Sequence, residues 1–303
     1  MPSNRRPNLF IVGAQKSGTS ALAAWLSEHP QVFMSFPKEP GYLSFSEKGY
    51  CYKDGYGKRA QASEYVVTDK SAYEHLFSAA KTQHTVLGEA STWYLAMPGM
   101  PQRIASYSQD AKVVVILRNP VDRAYSAWCH ARRDKLEPCE DFGSALALEE
   151  SRGEIEFLLR YHRMGMYSGP LSHYRAIFDE RHLLVLFYDD LQNDPDDVWS
   201  RLCNFLNVDA LPRPLPQRSF NKSGEPRSRL IQSLLKSYRF KSFFRTILPF
   251  RLSSWVKHQV DRANLRQFPP LQESVATQLK AYYRADIEAL MQMTGRDLSH
   301  WLS

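Results

Sequence analysis

Residues 8–26 read NLFIVGAQKSGTSALAAWL: an apolar run, a turn holding two glycines and a lysine, then a stretch that can wind as a helix. Backbone amides in a glycine-rich turn at a helix N-terminus converge on one spot, and the helix dipole adds positive potential there. Such a turn is a cradle for phosphate-like anions. Gly18 allows the chain to approach a ligand closely, and Lys16 puts a full charge inside the turn. Ser17, Thr19 and Ser20 offer hydroxyls or a helix cap. A strand-to-helix turn with no ligand is the plainer alternative, and the lysine argues against it.

A second cluster lies in VVVILRNPVDRAYSAWCH, residues 113–130. An apolar run ends in Arg118, Ser126 follows eight residues later, and His130 sits one helical turn beyond Ser126 on the same face. A guanidinium can grip phosphate oxygens with two prongs while the hydroxyl adds a third donor. The plainer reading pairs Arg118 with Asp122 at the helix start and leaves His130 on the surface. Glu39 in FPKEPGYLSF and Glu89 in VLGEASTWYL each follow a short apolar run, near the sheet edge where α/β folds place ligands. For Glu39 the alternative is an ion pair with Lys38 or Arg5. Phe45, Trp93 and Tyr94 could floor a pocket beside them, or simply be aromatic core.

The first loop is not a nucleotide-triphosphatase loop. That motif reads GxxxxGK[ST]; aligning Gly13 and Gly18 with its glycines puts Thr19 where its lysine belongs. The second apolar strand ends in Arg118, with no aspartate to hold Mg²⁺. ATP or GTP hydrolysis is disfavoured.

Elements must hold these residues in place. Candidate strands are Leu9–Gly13, Gln31–Met34, Val86–Glu89, Lys112–Leu117 and Leu183–Phe187, three of them unbroken apolar runs as expected for strands buried on both faces. Candidate helices are Ser20–Glu28, Ser71–Ala80, Val121–Asp134, Phe142–Ser151, Leu171–Phe178, Asp197–Leu206 and Gln272–Thr294. In the last, Val275, Leu279, Tyr282, Tyr283, Ile287 and Leu290 form one apolar stripe. The alternation predicts one α/β domain over residues 1–303, with a central, mainly parallel five-stranded sheet flanked by helices. Phe45–Asp69, with three glycines among its tyrosines, reads as an inserted, partly ordered excursion. Leu211–Arg229 reads as a loop returning across the domain.

The chain has 303 residues, 14 Gly, 18 Pro and 43% hydrophobic residues, which excludes collagen-like, low-complexity and wholly disordered classes. Four cysteines form no CxxC pair; Cys129 and Cys139 could bridge only in an oxidising compartment. Residues 1–14 lack the apolar run of a secretory signal, and no stretch reaches the roughly 18 apolar residues of a spanning helix. A cytoplasmic protein is expected. The net charge of +7 is uneven: residues 227–266 hold ten Lys or Arg against one acid, Asp261, so the remainder is slightly acidic.

The GxxKSGTSAL loop, together with the Arg118–Ser126 pair, resembles the sulfotransferases that use 3′-phosphoadenosine-5′-phosphosulfate (PAPS), a P-loop-like fold. RMGMYSGPLSHYRAIF (163–178), LLVLFYDDLQNDP (183–195) and GRDLSHW (295–301) resemble later segments of that family, closest to its bacterial and heparan-sulfate-type branch. The resemblance implies PAPS as sulfuryl donor with no metal required. It places residues 16–20 at the 5′-phosphosulfate and Arg118 and Ser126 at the 3′-phosphate, with Lys16 stabilising leaving-group charge. Lys222 and Arg227, in FNKSGEPR, match the late loop that closes over the cofactor, although the family's usual KG dipeptide is broken here. Glu39 ranks first as general base, His130 second and Glu89 third; Glu89 with Phe45, Trp93 and Tyr94 would line the acceptor pocket. Some members carry a His two residues after the Glu, where this chain has Gly41.

The acceptor would be a hydroxyl or amine of a glycan or small natural product, and no nucleic acid is expected. Rival readings are a P-loop small-molecule kinase, and a module binding membranes or acidic polymers through KSYRFKSFFRTILPFRL (236–252), where cations interleave with aromatics. As part of an enzyme, that segment would make a peripheral contact with an acidic surface.

Overall fold

The computed structural model describes residues 6–60, 65–214 and 268–303, together with the backbone of two short strands at 225–226 and 265–266. Five strands form one sheet: β1 (Leu9–Gly13), β2 (Val32–Met34), β3 (Val86–Ala90), β4 (Lys112–Leu117) and β5 (Leu183–Phe187), ordered β2-β3-β1-β4-β5. All four pairings are parallel. Sequence runs such as VVVIL are apolar throughout because alternate residues feed opposite layers. Val113, Val115 and Leu117 enter one core cluster, and Val114 and Ile116 the other.

Ten α-helices complete the described chain: α1 (Thr19–Ser27), α2 (Tyr42–Phe45), α3 (Lys70–His75), α4 (Met100–Tyr107), α5 (Pro120–Arg133), α6 (Phe142–Ala147), α7 (Ser168–Arg175), α8 (Tyr188–Asn193), α9 (Pro195–Leu206) and α10 (Glu273–Thr294). Helices α1 and α9 cover one face of the sheet through Leu22, Trp25, Leu26, Val198, Trp199 and Leu202. Helices α4, α5, α7 and α10 cover the other. A separate two-stranded sheet, β6 (Glu225–Pro226) and β7 (Leu265–Arg266), is antiparallel.

All five predicted strands are present within one residue of their predicted ends, and the expected α/β sheet is parallel throughout. The helices differ more. Helix α3 stops at His75 and α6 at Ala147, because short turns replace their last helical turn. Along α10, Tyr282 turns outward at 49% exposure, while Asp286 is buried in the stripe instead. Asp286 earns that place by accepting from the Tyr167 and Ser168 amides and the Ser168 hydroxyl, which fixes the start of α7. The excursion after Phe45 is packed in its described part: Tyr50 and Ala60 join Phe45, Trp93, Phe157 and Met164 in a separate aromatic core. Most of 211–229, all of 236–252 and nearly all of the basic stretch 227–266 lie outside the described residues. Among the described residues no helix is long and apolar enough to cross a membrane.

Candidate active site

The site gathers at the C-terminal edge of the sheet, where the ends of β1, β2 and β4 release Lys16, Glu39 and Arg118. Ala14 N donates to Ile116 O at 2.7 Å, and Ser17 N to Ala14 O at 3.2 Å, folding the turn back on the sheet. Gly18 precedes α1 with φ +100° and provides no side-chain cap. The first amides of α1 therefore point outward without a capping side chain, as an anion site requires. A Cβ at position 18 would meet Leu191 Cδ2 at 2.8 Å, so glycine is needed for space as well as for φ.

Lys16 Nζ lies 2.9 Å from His130 Nδ1. His130 Nε2 lies 3.0 Å from Asp134 Oδ2, and Arg133 Nε donates to Asp134 Oδ1 at 3.1 Å. An ammonium can only donate, so His130 accepts at Nδ1 and donates from Nε2 to the carboxylate. Burial would raise Asp134, but the hydrogen bonds from His130 and Arg133 outweigh it and hold its carboxyl well below the usual range. Burial, with Lys16 and Arg133 nearby, lowers His130. Burial first, then Arg133 and Arg118, brings Lys16 down to about 8.

Arg118 Nη1 donates to Lys16 O at 3.3 Å, and its guanidinium lies 4.7 Å from the Tyr188 ring centroid. The expected alternative partner, Asp122, is 4.0 Å away and mostly exposed, a weak contact. Arg118 Nε is buried without a hydrogen-bond partner. Ser126 is half-buried on α5 between Arg118 and His130 in sequence. Thr19 is buried and accepts from Lys38 Nζ at 3.3 Å, whereas Ser20 is exposed. Lys16, Arg118, Arg133 and Lys38 thus share one locality, and their mutual repulsion, which lowers Lys16, is of the kind a bound anion would relieve. An uncapped helix start, an orphaned guanidinium nitrogen and crowded cations fit a ligand bearing phosphate and sulfate groups.

Glu39 holds the opposite sign beside this cluster. Its Oε1 accepts from Lys38 Nζ at 2.9 Å and Thr92 Oγ1 at 3.2 Å, with its side chain 20% exposed. The ion pair with Lys38 is therefore real, and one oxygen of the carboxylate is free of both bonds. Lys16 at φ +69° and Glu39 at φ +64° both occupy the left-handed region, which bulky residues seldom adopt. Gly41 has no room for histidine: a Cβ there would meet Trp93 Cζ3 at 2.7 Å.

The remaining expected residues divide between the buried core and segments outside the described residues. Glu89 is fully buried and accepts from Tyr73 and Tyr94 hydroxyls at Oε1 and from Ser91 at Oε2, at 2.5, 3.0 and 2.6 Å. It organises the core and presents no surface to an acceptor or to a proton in the site. Phe45, Trp93 and Tyr94 are buried too, as the aromatic-core alternative describes: the first two pack edge to face at 5.3 Å. Lys222 and Arg227 lie outside the described residues. All four cysteines are free thiols. Asp134 and Arg133 were missing from the sequence reading of the site, and Lys38 entered it only as a partner for Glu39; the four-residue step from His130 to Asp134 was the available signal.

The model of the sulfotransferase family matches residues 7–212, which include the whole sheet and Lys16, Glu39, Arg118 and His130. Heparan sulfate glucosamine 3-O-sulfotransferase 6 of Mus musculus is 25% identical over 297 residues, 98% of this chain and 74% of that protein. Bifunctional heparan sulfate N-deacetylase/N-sulfotransferase 1 of Caenorhabditis elegans is 29% identical over 208 residues, 68% of this chain. The alignments with such bifunctional relatives take in only 22–31% of their length. The crystal structure of a sulfotransferase from Alicyclobacillus acidocaldarius is 29% identical, with a TM-score of 0.74 over 99% of this chain and 100% of that one. The kinase reading gains no support from either the loop or these likenesses. With a family match across two thirds of its length and the sheet edge built to suit, the chain belongs to the sulfotransferase family.

Proposed function

We propose that the chain transfers a sulfuryl group from PAPS to a hydroxyl or amine of a glycan or small-molecule acceptor. The observation that carries the reading is the crowding of Lys16, Arg118, Arg133 and Lys38 around an uncapped helix start, with Glu39 alongside. PAPS supplies the activated sulfuryl group; the rest of the work is positioning and charge stabilisation. Residues 16–20 and Lys16 would hold the 5′-phosphosulfate end, and Arg118 with Ser126 the 3′-phosphate. Lys16 stabilises charge gathering on the leaving phosphate oxygen, and His130, anchored by Asp134, fixes the ammonium. Glu39 takes the acceptor proton through the oxygen not held by Lys38. Lys222 and Arg227 would close over the phosphates, and residues 236–252 would contact an acidic or membrane surface beside the site. Free thiols suit a reducing, cytoplasmic setting. Incubation with sulfur-35-labelled PAPS and an acceptor panel tests the reading. A melting-temperature shift with PAPS or with adenosine 3′,5′-bisphosphate is expected, and its absence with both overturns it.

A further inference from the structure

Arg118 is the single residue between the end of β4 at Leu117 and Asn119, whose side chain caps α5 by accepting from Val121 N at 3.0 Å. Its side chain springs from a junction, so the aim of the guanidinium depends on how the peptide there is held. Arg118 O accepts from Tyr167 Oη at 2.9 Å, while Arg118 Nη1 reaches back to Lys16 O. Tyr167 is 1% exposed, and burial raises its hydroxyl to about 12 against the pull of Arg123, Ser17 and Arg118. The hydroxyl therefore keeps its proton, and its role as donor, throughout the neutral range.

Tyr167 is anchored in turn from α10. Its amide donates to Asp286 Oδ2 at 2.8 Å, and Asp286 Oδ1 accepts from the Ser168 amide at 3.1 Å and the Ser168 hydroxyl at 2.5 Å. Asp286 is 5% exposed. Burying a carboxylate is costly unless donors surround it, so this contact is strong and specific in direction. The turn before Tyr167 is stitched down as well. The Tyr283 hydroxyl shares its proton between Tyr161 O and His162 O at 2.9 and 3.0 Å, and Arg123 Nη2 on α5 donates to Tyr161 O at 2.5 Å. Helix α10 lies beyond residues 7–212, the part that matches the family model. One residue thus joins that helix to the strand end that carries Arg118.

We propose that Asp286 and Tyr167 are positioning residues for the nucleotide: Asp286 on α10 sets Tyr167, and Tyr167 sets the Arg118 peptide so that the guanidinium meets the 3′-phosphate. This rests on the sulfotransferase reading and its placement of Arg118. Both residues act through Arg118, so their effect is confined to the 3′-phosphate, whereas a loss of packing alone would weaken every nucleotide alike.

The test is calorimetric titration with adenosine 3′,5′-bisphosphate and with adenosine 5′-phosphate. Tyr167→Phe keeps the ring and removes only the donor. Its affinity for the bisphosphate is expected to fall about 3- to 10-fold, as for one neutral hydrogen bond, with less than about a twofold change for the monophosphate. In an Arg118→Lys background the same substitution should add less than about twofold, because residues that act through one another are not additive. Asp286→Asn, which turns an N–H group toward the donors of α7, should show the same selective loss; where it does not fold, Tyr167→Phe decides. Unchanged bisphosphate affinity in Tyr167→Phe, an equal loss for both nucleotides, or full additivity with Arg118→Lys would overturn the inference. A selective loss in Arg118→Lys with none in Tyr167→Phe removes this inference alone. A wild-type chain that binds neither nucleotide removes the sulfotransferase reading and this inference with it.

Discussion

Lys16 Nζ and His130 Nδ1 stand 2.9 Å apart although 114 residues separate them in sequence. The contact joins the anion loop after β1 to the last turn of α5, and Asp134 anchors the histidine from its other side. A lysine held this way donates one fixed proton to His130 and keeps two for a ligand. Its ammonium is the form that stabilises phosphate charge, and its pKa is lowered to about 8 by burial and by Arg133 and Arg118. Hence kcat/KM should fall as pH rises through about 8, the limb that reports loss of the Lys16 proton. Asp134 is the charge that raises Lys16, so Asp134→Asn should move the falling limb to lower pH. Lys16→Ala should lower turnover by about 10²–10³. A flat profile across this range, or near-normal turnover without Lys16, would show that the charge is not used.

Glu39 is bonded on one oxygen and partly open to solvent, which suits a base that must reach an incoming hydroxyl or amine. Glu39→Gln keeps the shape and the contact from Thr92. It should retain binding of adenosine 3′,5′-bisphosphate, followed by calorimetry, while turnover drops about 10²–10⁴-fold. Unchanged turnover would hand the proton to His130, since Glu89 is sealed in the core.

The sheet was legible because its strands are buried on both faces, leaving unbroken apolar runs with few other interpretations. Helix α8 was not, because Tyr188, Asp189 and Asp190 look like a turn directly after β5, although acids in a first turn favour a helix start. Within the site, Lys16, Arg118 and Glu39 could be read from loops and strand ends. The Lys16–His130 pairing could not, since nothing local links residues so far apart in the chain. The burial of Glu89 was hidden for the same reason: Tyr73, on α3, supplies one of its three donors.

Glu89 should matter for stability. Removing the carboxylate in Glu89→Ala leaves the Tyr73, Ser91 and Tyr94 hydroxyl protons without their acceptor, although Ser91 and Tyr94 still accept from the Gly41 and Leu43 amides, and opens a cavity. A loss of about 3–5 kcal/mol in chemical denaturation is expected. Burial raises the Glu89 carboxyl in the folded protein. A raised acid binds its proton more tightly when folded, so its stabilising effect is complete below the unfolded value of about 4.3 and lost as pH rises through the folded one. Wild type should therefore gain stability relative to Glu89→Gln on acidification from neutral pH. A difference that stays constant with pH would mean that Glu89 does not titrate differently on folding.

Arg118 should contribute by shape as well as charge. Its guanidinium lies over Tyr188, whose Cδ2 would be 3.1 Å from a Cβ at Gly18, so loop, aromatic ring and arginine brace one another. Arg118→Lys keeps the charge but loses the flat stacking surface and the two-pronged fork. Charge-assisted hydrogen bonds contribute about 1.5–3 kcal/mol, so affinity for adenosine 3′,5′-bisphosphate should fall about 10- to 100-fold. Adenosine 5′-phosphate, which lacks the 3′-phosphate, should lose far less. An equal loss for both nucleotides would place Arg118 at the 5′ end of the ligand, beside Lys16, and leave the 3′-phosphate to Ser126 and the residues around it.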